Sequence, residues 1–185
     1  MKLSFSEKEL IKAKKYLDEM KEIKAKEDKN LLMEFKSNWL NFLIYLERVW
    51  NKSEEEYTKF PNFQPWQGKY IRERKKDSLL KYLKHARDTD QHSIQPITTE
   101  KGYEVEIISP SNRFTFKEGE SIRIEVDLKE PRIENESFIN RDGHYEPPIE
   151  HLGKKISNPN DPIEIAELGF QYYEEYLKEI QAKFN

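Results

Sequence analysis

An apolar side chain recurs at every third or fourth position between residues 32 and 50, and this stripe constrains the fold more than any other feature. Its members are Leu32, Phe35, Trp39, Phe42, Leu43, Leu46 and Trp50. A period near 3.6 predicts a helix from about Asn30 to Trp50. Residues 42–46 are apolar nearly all round. We therefore expect this second helix to form the core of a helical bundle. We expect the next residue, Glu47, to point outward, since an unpaired inward charge is costly.

Three further segments show the same period and the signals of helix ends. Helix one is expected to begin at a capping box of Ser6 and Glu9. Helix three is expected from about Lys69 to Asp88. Helix four is expected to begin with Asp161 as its N-cap and Pro162 in the first helical position. Each helix has one apolar face, and a four-helix bundle buries four such faces together.

Between helices three and four the hydrophobic period changes from 3.6 to two. Apolar residues alternate within residues 103–107, 114–116 and 122–128. Such alternation predicts strands, so residues 102–145 are expected to form a small antiparallel sheet. Hairpin turns are expected at residues 117–120 and 141–144, where Asp142-Gly143 favours positive φ. The predicted fold is therefore mainly α, a four-helix bundle with this β insertion, in a single domain of residues 1–185.

Composition narrows the classes of protein to which such a chain can belong. A length of 185 residues suits one domain, and the absence of cysteine excludes disulfides and thiolate chemistry. The longest apolar run has five residues, far short of a membrane span, and the N-terminus lacks an apolar signal segment. We therefore expect a cytoplasmic protein without membrane contact. A net charge of −3 argues against a strong general nucleic-acid binder.

Basic and aromatic side chains are nevertheless concentrated in two segments. Residues 69–87 hold eight Lys or Arg against two acids. This basic strip is either a solvated helix face or a functional surface. The connector of residues 51–68 interleaves prolines with Tyr57, Phe60, Phe63 and Trp66. Such aromatic rings could stack on bases, but we favour the interpretation that they cover the end of the bundle.

The end of helix three carries the residues best suited to catalysis. The chain has no Gly-rich phosphate loop and its four histidines lack zinc-ligand spacing, so we expect neither cofactor nor metal. Arg87 and His92 are five positions apart. Metal-free RNA cleavage needs a base for the 2′-OH proton and a cation for the phosphorane charge, which suits histidine and arginine. On one continuous helix the two side chains point about 140° apart. They converge only if the helix ends between them or if a second protomer completes the site.

Both residues also have structural interpretations. His92 could cap the end of helix three, where a cationic side chain stabilises the exposed carbonyl groups. Arg87 could form ion pairs with Asp88, Asp90 or Glu47. The sequence leaves these alternatives open beside the catalytic one.

The Arg87-x4-His92 spacing, after a basic amphipathic helix, resembles the R-x4-6-H motif of the HEPN superfamily. These are four-helix domains, many of them metal-independent ribonucleases of toxin–antitoxin, abortive-infection and CRISPR systems. The resemblance implies an endoribonuclease with a composite active site in a homodimer, with helix three at the interface and single-stranded RNA as substrate. His92 would be general base or acid, Arg87 would stabilise the phosphate, and Asp88 would orient one of them. The family usually has a polar residue, often Asn, at the position of Asp88.

A second resemblance covers about the C-terminal two thirds of the chain. The sequences HARDTDQHSI and FINRDGHYEPPIEHLGK, with a Tyr-rich last helix, are similar to a group of small uncharacterised bacterial proteins. The second sequence carries the polar cluster of Arg141, Asp142, Tyr145 and His151. We expect three of them, Arg141, Tyr145 and His151, to contact substrate from the edge of the cleft together with Lys84. In a turn, however, such side chains usually hold the loop itself.

Two other functions fit the same sequence. The first is a non-catalytic HEPN-like module that binds an antitoxin, another partner protein or a nucleotide-like ligand. The net negative charge of the chain and the carboxylate of Asp88 favour this alternative. The second is a structural domain whose inserted sheet is the interaction surface.

Overall fold

The structure, a computed structural model, describes residues 3–25, 32–92, 96–102, 104–108, 125–129 and 132–184. Within these residues the chain is mainly helical. The helices are α1 (Phe5–Ala25), α2 (Leu32–Tyr57), α3 (Phe63–Lys76), α4 (Ser78–His92) and α5 (Pro162–Phe184). The strands are β1 (Thr98–Lys101), β2 (Glu104–Ile108), β3 (Glu125–Lys129), β4 (Arg132–Asn135), β5 (Phe138–Asn140), β6 (Gly143–Tyr145), β7 (Glu150–His151) and β8 (Lys154–Lys155). No helix in this described part is long and apolar enough to cross a membrane.

The first two helices pack along each other as an antiparallel pair. The buried apolar residues of α1 are spaced at three and four positions, as a helix with one apolar face predicts: Ala13, Leu17, Met20 and Ile23. The start of α1 lies against the last turn of α2, where the Glu56 carboxylate accepts hydrogen bonds from the backbone N–H groups of Phe5 and Ser6. A carboxylate in this position compensates the partial positive charge of the helix N-terminus.

The capping box of α1 lies two residues before the predicted one. Ser4 and Glu7 form it, because each side chain accepts the backbone N–H of the other. The predicted box of Ser6 and Glu9 is therefore wrong. Both pairs fit the same Ser-x-x-Glu pattern, and the pattern alone does not distinguish them.

The start of α5 confirms its prediction. Pro162 is the first helical residue, and the Asp161 carboxylate accepts a 3.0 Å hydrogen bond from the backbone N–H of Ile163. Asp161 therefore satisfies one of the backbone donors that a helix N-terminus leaves unpaired. This helix returns the chain to the bundle after the strands, and it packs against α1, α2 and α4.

The aromatic connector covers one end of the bundle, as favoured above. α2 continues to Tyr57, beyond its predicted end, so the loop before α3 is short. Tyr57 and Phe63 are buried, while Phe60 and Trp66 are partly buried against the core. All four rings lie within about 6 Å of the Phe184 ring at the end of α5. Their packing in the core leaves little ring surface for stacking on bases.

Predicted helix three is two helices, so the described part of the chain has five helices rather than four. The break is at Asp77, whose backbone is extended (φ −67°, ψ 132°). Its backbone N–H closes α3 on the carbonyl of Glu73, and its carboxylate accepts the N–H of Leu80 to begin α4. The single helix expected over residues 69–88 is therefore wrong. One residue ends the first helix and caps the next without interrupting the apolar period.

The strands form small antiparallel ladders: β1 with β4, β2 with β3, β5 with β6, and β7 with β8. Pairing within the predicted insertion is antiparallel as expected, and strands also lie outside residues 102–145 on both sides. The predicted turn at residues 117–120 lies outside the described residues. In the β5–β6 hairpin Asn140 pairs with Gly143, which places Arg141 and Asp142 at the centre of the turn, one residue earlier than predicted. Gly143 has a positive φ of 144°.

Candidate functional site

Arg87 lies on α4 and is held by two carboxylates. Its Nε donates a 2.9 Å hydrogen bond to Oδ1 of Asp88, and its Nη2 contacts the same oxygen. Its Nη1 lies 3.7 Å from Oε1 of Glu47 on α2. The Arg87 side chain remains 20% exposed. Two of the three ion-pair partners expected for a structural arginine are therefore present.

Glu47 also joins Arg87 to a buried arginine. Nη2 of Arg74 on α3 donates a 2.5 Å hydrogen bond to Oε2 of Glu47. The Arg74 guanidinium lies 4.2 Å from the ring centre of Trp50 and 5.9 Å from that of Tyr173. Burial acts to lower the pKa of Arg74, but the charges of Tyr173 and Glu47 raise it overall. The expectation that Glu47 points outward is wrong, because two arginines compensate its charge inside the bundle.

A small cleft opens beside this network. Its lining residues are Leu43, Leu46, Glu47, Leu83, Lys84, Arg87 and Tyr173. Its volume is about 10 Å³, which is enough for one water molecule. Lys84 is exposed at the cleft and adds a second cation next to Arg87. A ligand larger than water could reach the guanidinium only if these side chains moved.

The helix that carries the motif does not end between its two residues. α4 is continuous from Ser78 to His92, so the positions of Arg87 and His92 lie on one helix, about 140° apart around its axis. Convergence of Arg87 and His92 within one chain required the helix to end between them, and this condition is not met. The side chains of His92 and Asp90 lie outside the described residues, so the predicted roles of His92 stay predictions.

A histidine that the sequence analysis did not select lies at the contact between α4 and the β5–β6 hairpin. The His85 ring stacks on Tyr145, with ring centres 4.1 Å apart. Its Nδ1 lies 3.4 Å from the side-chain nitrogen of Asn140 and 3.7 Å from Oδ2 of Asp142. Burial and the charge of Lys84 lower the pKa of His85. One signal was present in the sequence: His85 and Asp88 are three positions apart and share a face of α4.

The hairpin brings one of its predicted substrate residues to α4 and leaves the other in solvent. Tyr145 is stacked between His85 and Phe138. Burial, followed by the charges of Asp142 and Asp88, raises the pKa of Tyr145. Arg141 is 92% exposed at the turn, with its Nε 3.8 Å from Asp142. The hairpin therefore places Tyr145 against His85 on α4, whereas Arg141 extends away from the helix into solvent.

His151 belongs to a different contact, at the opposite end of α4. Its Nδ1 lies 2.9 Å from Oδ1 of Asp77, and the N–H of Leu152 donates to Oδ2 of the same residue. Leu152 has a left-handed backbone (φ 47°), which this hydrogen bond helps to maintain. Asp77 is ten residues before Arg87, or about 15 Å along the helix axis. The predicted grouping of His151 with Arg141 and Tyr145 is therefore wrong.

The Asp77 carboxylate that His151 contacts is nearly fully buried, with 6% of its side chain exposed. Burial acts to raise the pKa of Asp77. Hydrogen bonds from His151 and from the backbone N–H groups of Leu152 and Leu80 outweigh burial and lower it. This contact fixes the β7–β8 hairpin to the break between α3 and α4.

No group of three or more His, Asp or Glu side chains in the described part of the chain is arranged to hold a metal ion. Comparisons with models of protein families, with curated proteins and with solved structures found no match to this chain.

Proposed function

We propose that this chain is a HEPN-like, metal-independent endoribonuclease that acts on single-stranded RNA as a homodimer, in a toxin–antitoxin or phage-defence setting. One observation carries the proposal. The continuous α4 bears a partly exposed Arg87 beside Lys84 and ends at His92, five residues further on. Because positions 87 and 92 lie about 140° apart around one helix, we infer that a second copy of α4 is needed to bring an arginine and a histidine to the same phosphate.

The chemistry of such a site requires two groups. His92 of one protomer would accept the 2′-OH proton as the 2′-oxygen attacks phosphorus, and a proton returned to the 5′-oxygen would release the leaving strand. Arg87 of the other protomer would stabilise the charge on the phosphorane oxygens through charge-assisted hydrogen bonds. The products are a 2′,3′-cyclic phosphate and a 5′-hydroxyl, so neither step needs a metal.

Asp88 restrains Arg87 in this scheme. Its carboxylate occupies the Nε and Nη2 donors that would bind phosphate. The phosphate must therefore displace Asp88, and Asp88 then lies free to orient one of the reacting groups. Asp88→Asn removes the competing charge and keeps the size of the side chain. We expect this variant to bind and cleave RNA more strongly than the unsubstituted protein.

The first test is cleavage of a labelled single-stranded RNA in EDTA. Arg87→Ala and His92→Ala are expected to lower the rate by about 10²-fold or more. The matched controls are His144→Ala, on the exposed face of the β5–β6 hairpin, and Lys154→Ala on β8. Both should retain the rate. A DNA strand of the same sequence lacks the 2′-OH and should remain intact. If both Arg87→Ala and His92→Ala cleave RNA normally, the assignment is wrong.

The composite site has its own test. Equal amounts of the Arg87→Ala and His92→Ala proteins are mixed and allowed to exchange subunits. Half of the resulting dimers are mixed, and each mixed dimer regains one of two sites, so about a quarter of the activity should return. A site built within one chain would give no recovery. A chain that elutes as a monomer at all assay concentrations would also exclude the composite site.

The second candidate is a non-catalytic HEPN-like module that binds a partner protein, such as an antitoxin, or a nucleotide-like ligand. It is favoured by the same ion pairs, because Glu47 and Asp88 together neutralise Arg87 and Arg74. The Asp88→Asn variant distinguishes the two candidates. Cleavage that increases in this variant supports the ribonuclease. If neither the unsubstituted protein nor Asp88→Asn cleaves RNA, and Asp88→Asn binds a mononucleotide more tightly, the non-catalytic module is supported.

A further inference from the structure

The His85 ring is enclosed between α4 and the β5–β6 hairpin. One of its faces stacks on Tyr145, and 13% of its side chain is exposed. Its Nδ1 faces two hairpin residues, the Asn140 amide nitrogen at 3.4 Å and the Asp142 carboxylate at 3.7 Å. The ring therefore has a fixed orientation and two alternative partners for one nitrogen atom.

The orientation of the Asn140 amide determines which partner His85 uses. The oxygen of Asn140 accepts a 2.9 Å hydrogen bond from the backbone N–H of Asp142. Its NH₂ group consequently faces His85 and also donates to the buried hydroxyl of Thr89, at 3.3 Å. Since an amide NH₂ only donates, Nδ1 of His85 must accept, and the neutral ring carries its proton on Nε2.

Protonation of His85 reverses this contact. Nδ1 then becomes a donor that faces the donors of Asn140, and the nearest acceptor is Asp142. An ion-paired hydrogen bond requires about 2.8 Å, so the hairpin turn must approach the ring by about 0.9 Å from the present 3.7 Å. The contact between α4 and the hairpin therefore differs between the neutral and the charged ring.

Charged groups on both elements act on this ring. On α4 the cations Lys81 and Lys84 oppose its protonation, and the carboxylate of Asp88 favours it, while Asp142 on the hairpin also favours it. Burial has the largest effect, and together these groups keep the pKa of His85 below its ordinary value. The ring is thus neutral near pH 7 and gains its charge only below the ordinary pKa of a histidine.

We propose that His85 controls how the β5–β6 hairpin packs on α4: its neutral ring accepts a hydrogen bond from Asn140, and its charged ring pairs with Asp142 and draws the turn toward the helix. This inference rests on the proposed function, because the hairpin carries Tyr145, a residue predicted to contact RNA, and holds it against the His85 ring. The charged ring also adds a cation to α4, where Lys84 already lies, so protonation of His85 should favour a phosphate ligand.

The first measurement is an NMR titration of the whole protein from pH 8 to 5. The side-chain NH₂ signals of Asn140 and the backbone N–H signal of Asp142 should shift with the same midpoint as the His85 ring. In His85→Asn the side-chain oxygen can still accept from Asn140 but does not titrate, so both sets of signals should stay constant. His144→Asn, on the exposed face of the same hairpin, is the matched control and should titrate like the unsubstituted protein. Signals of Asn140 and Asp142 that do not follow the His85 midpoint would overturn the proposal.

The second measurement links His85 to RNA. Binding of a single-stranded RNA oligonucleotide should strengthen as the pH falls through the His85 midpoint, and by linkage bound RNA should raise that midpoint. A rise of one pKa unit corresponds to about tenfold tighter binding to the protonated protein. In His85→Asn this component of the pH dependence should be absent. If no RNA binds at any pH, the proposed ribonuclease fails, while the NMR titration still decides whether His85 controls the packing of the hairpin on α4.

Discussion

The buried pair of Glu47 and Arg74 makes a prediction that can be worked out in full. The Glu47 and Arg74 side chains are 14% and 11% exposed, and they share a 2.5 Å hydrogen bond. Arg74→Met removes the guanidinium but keeps a long apolar side chain against Trp50. It leaves the Glu47 carboxylate buried with Arg87 as its remaining cation, at 3.7 Å.

The expected loss of stability follows from that arrangement. Removing one partner of a buried ion pair destabilises a protein by about 3–5 kcal/mol. Arg87 compensates part of the charge, so we expect about 3 kcal/mol for Arg74→Met. Replacing both residues, in Glu47→Met/Arg74→Met, leaves no buried charge in this pair and should restore most of the stability, to within about 1 kcal/mol.

Urea unfolding at pH 7, followed by circular dichroism, measures both effects from the transition midpoint at constant slope. Lys21→Met is the matched control. Lys21 makes an equally short contact, 2.5 Å to Glu167, but both side chains are about 40% exposed. Its loss should cost less than about 1 kcal/mol. The reasoning would be refuted by a single variant as stable as the control, or by a double variant no more stable than Arg74→Met.

Three further predictions concern the framework of the fold. Asp77→Asn should be less stable than the unsubstituted protein at pH 7; because the folded pKa of Asp77 is lowered, this difference should vanish as acid titration passes through that pKa. Gly169→Ala should destabilise the protein by about 1 kcal/mol in thermal unfolding. The new Cβ would lie 2.5 Å from Cδ1 of Leu83, and the cost of this overpacking exceeds the gain in helix propensity from alanine. Glu56→Gln should cost about 1 kcal/mol in urea unfolding, a loss that high salt should reduce, because it removes the carboxylate at the start of α1.

Periodicity predicted where the helices lie better than where they begin and end. Most of the apolar residues in the stripes of α1 and α2 are buried as expected, because burial of one face follows directly from a period of 3.6. The break at Asp77 was missed, since Tyr70 and Leu79 continue the apolar pattern on either side of it. A residue that ends one helix and caps the next changes the direction of the chain without altering the hydrophobic period.

The partners of the candidate site depend on contacts that are distant in sequence. Asp88 could be named as a partner of Arg87 because it is the adjacent residue. His85 could not be selected in the same way, because Asn140 is 55 positions away and reaches it only through the fold of the hairpin. Glu47 was assigned to the surface because its compensating cation, Arg74, lies on another helix. The residues next to Glu47 in the sequence do not reveal that a cation on another helix compensates its charge.

Arg87 lies between the buried ion pairs and the surface. The contacts that hold its guanidinium in place therefore also limit how readily it can bind phosphate. Glu47 draws the guanidinium toward the bundle and Asp88 fixes it along α4, so phosphate binding must compete with both carboxylates. Any change that weakens one of these contacts, such as Asp88→Asn, should make Arg87 more available without unfolding the helix. Arg74→Met has the opposite effect, because an uncompensated Glu47 holds Arg87 more strongly. RNA affinity should therefore rise in Asp88→Asn and fall in Arg74→Met. If the affinity changes equally in both variants, Arg87 is not the residue that binds the phosphate.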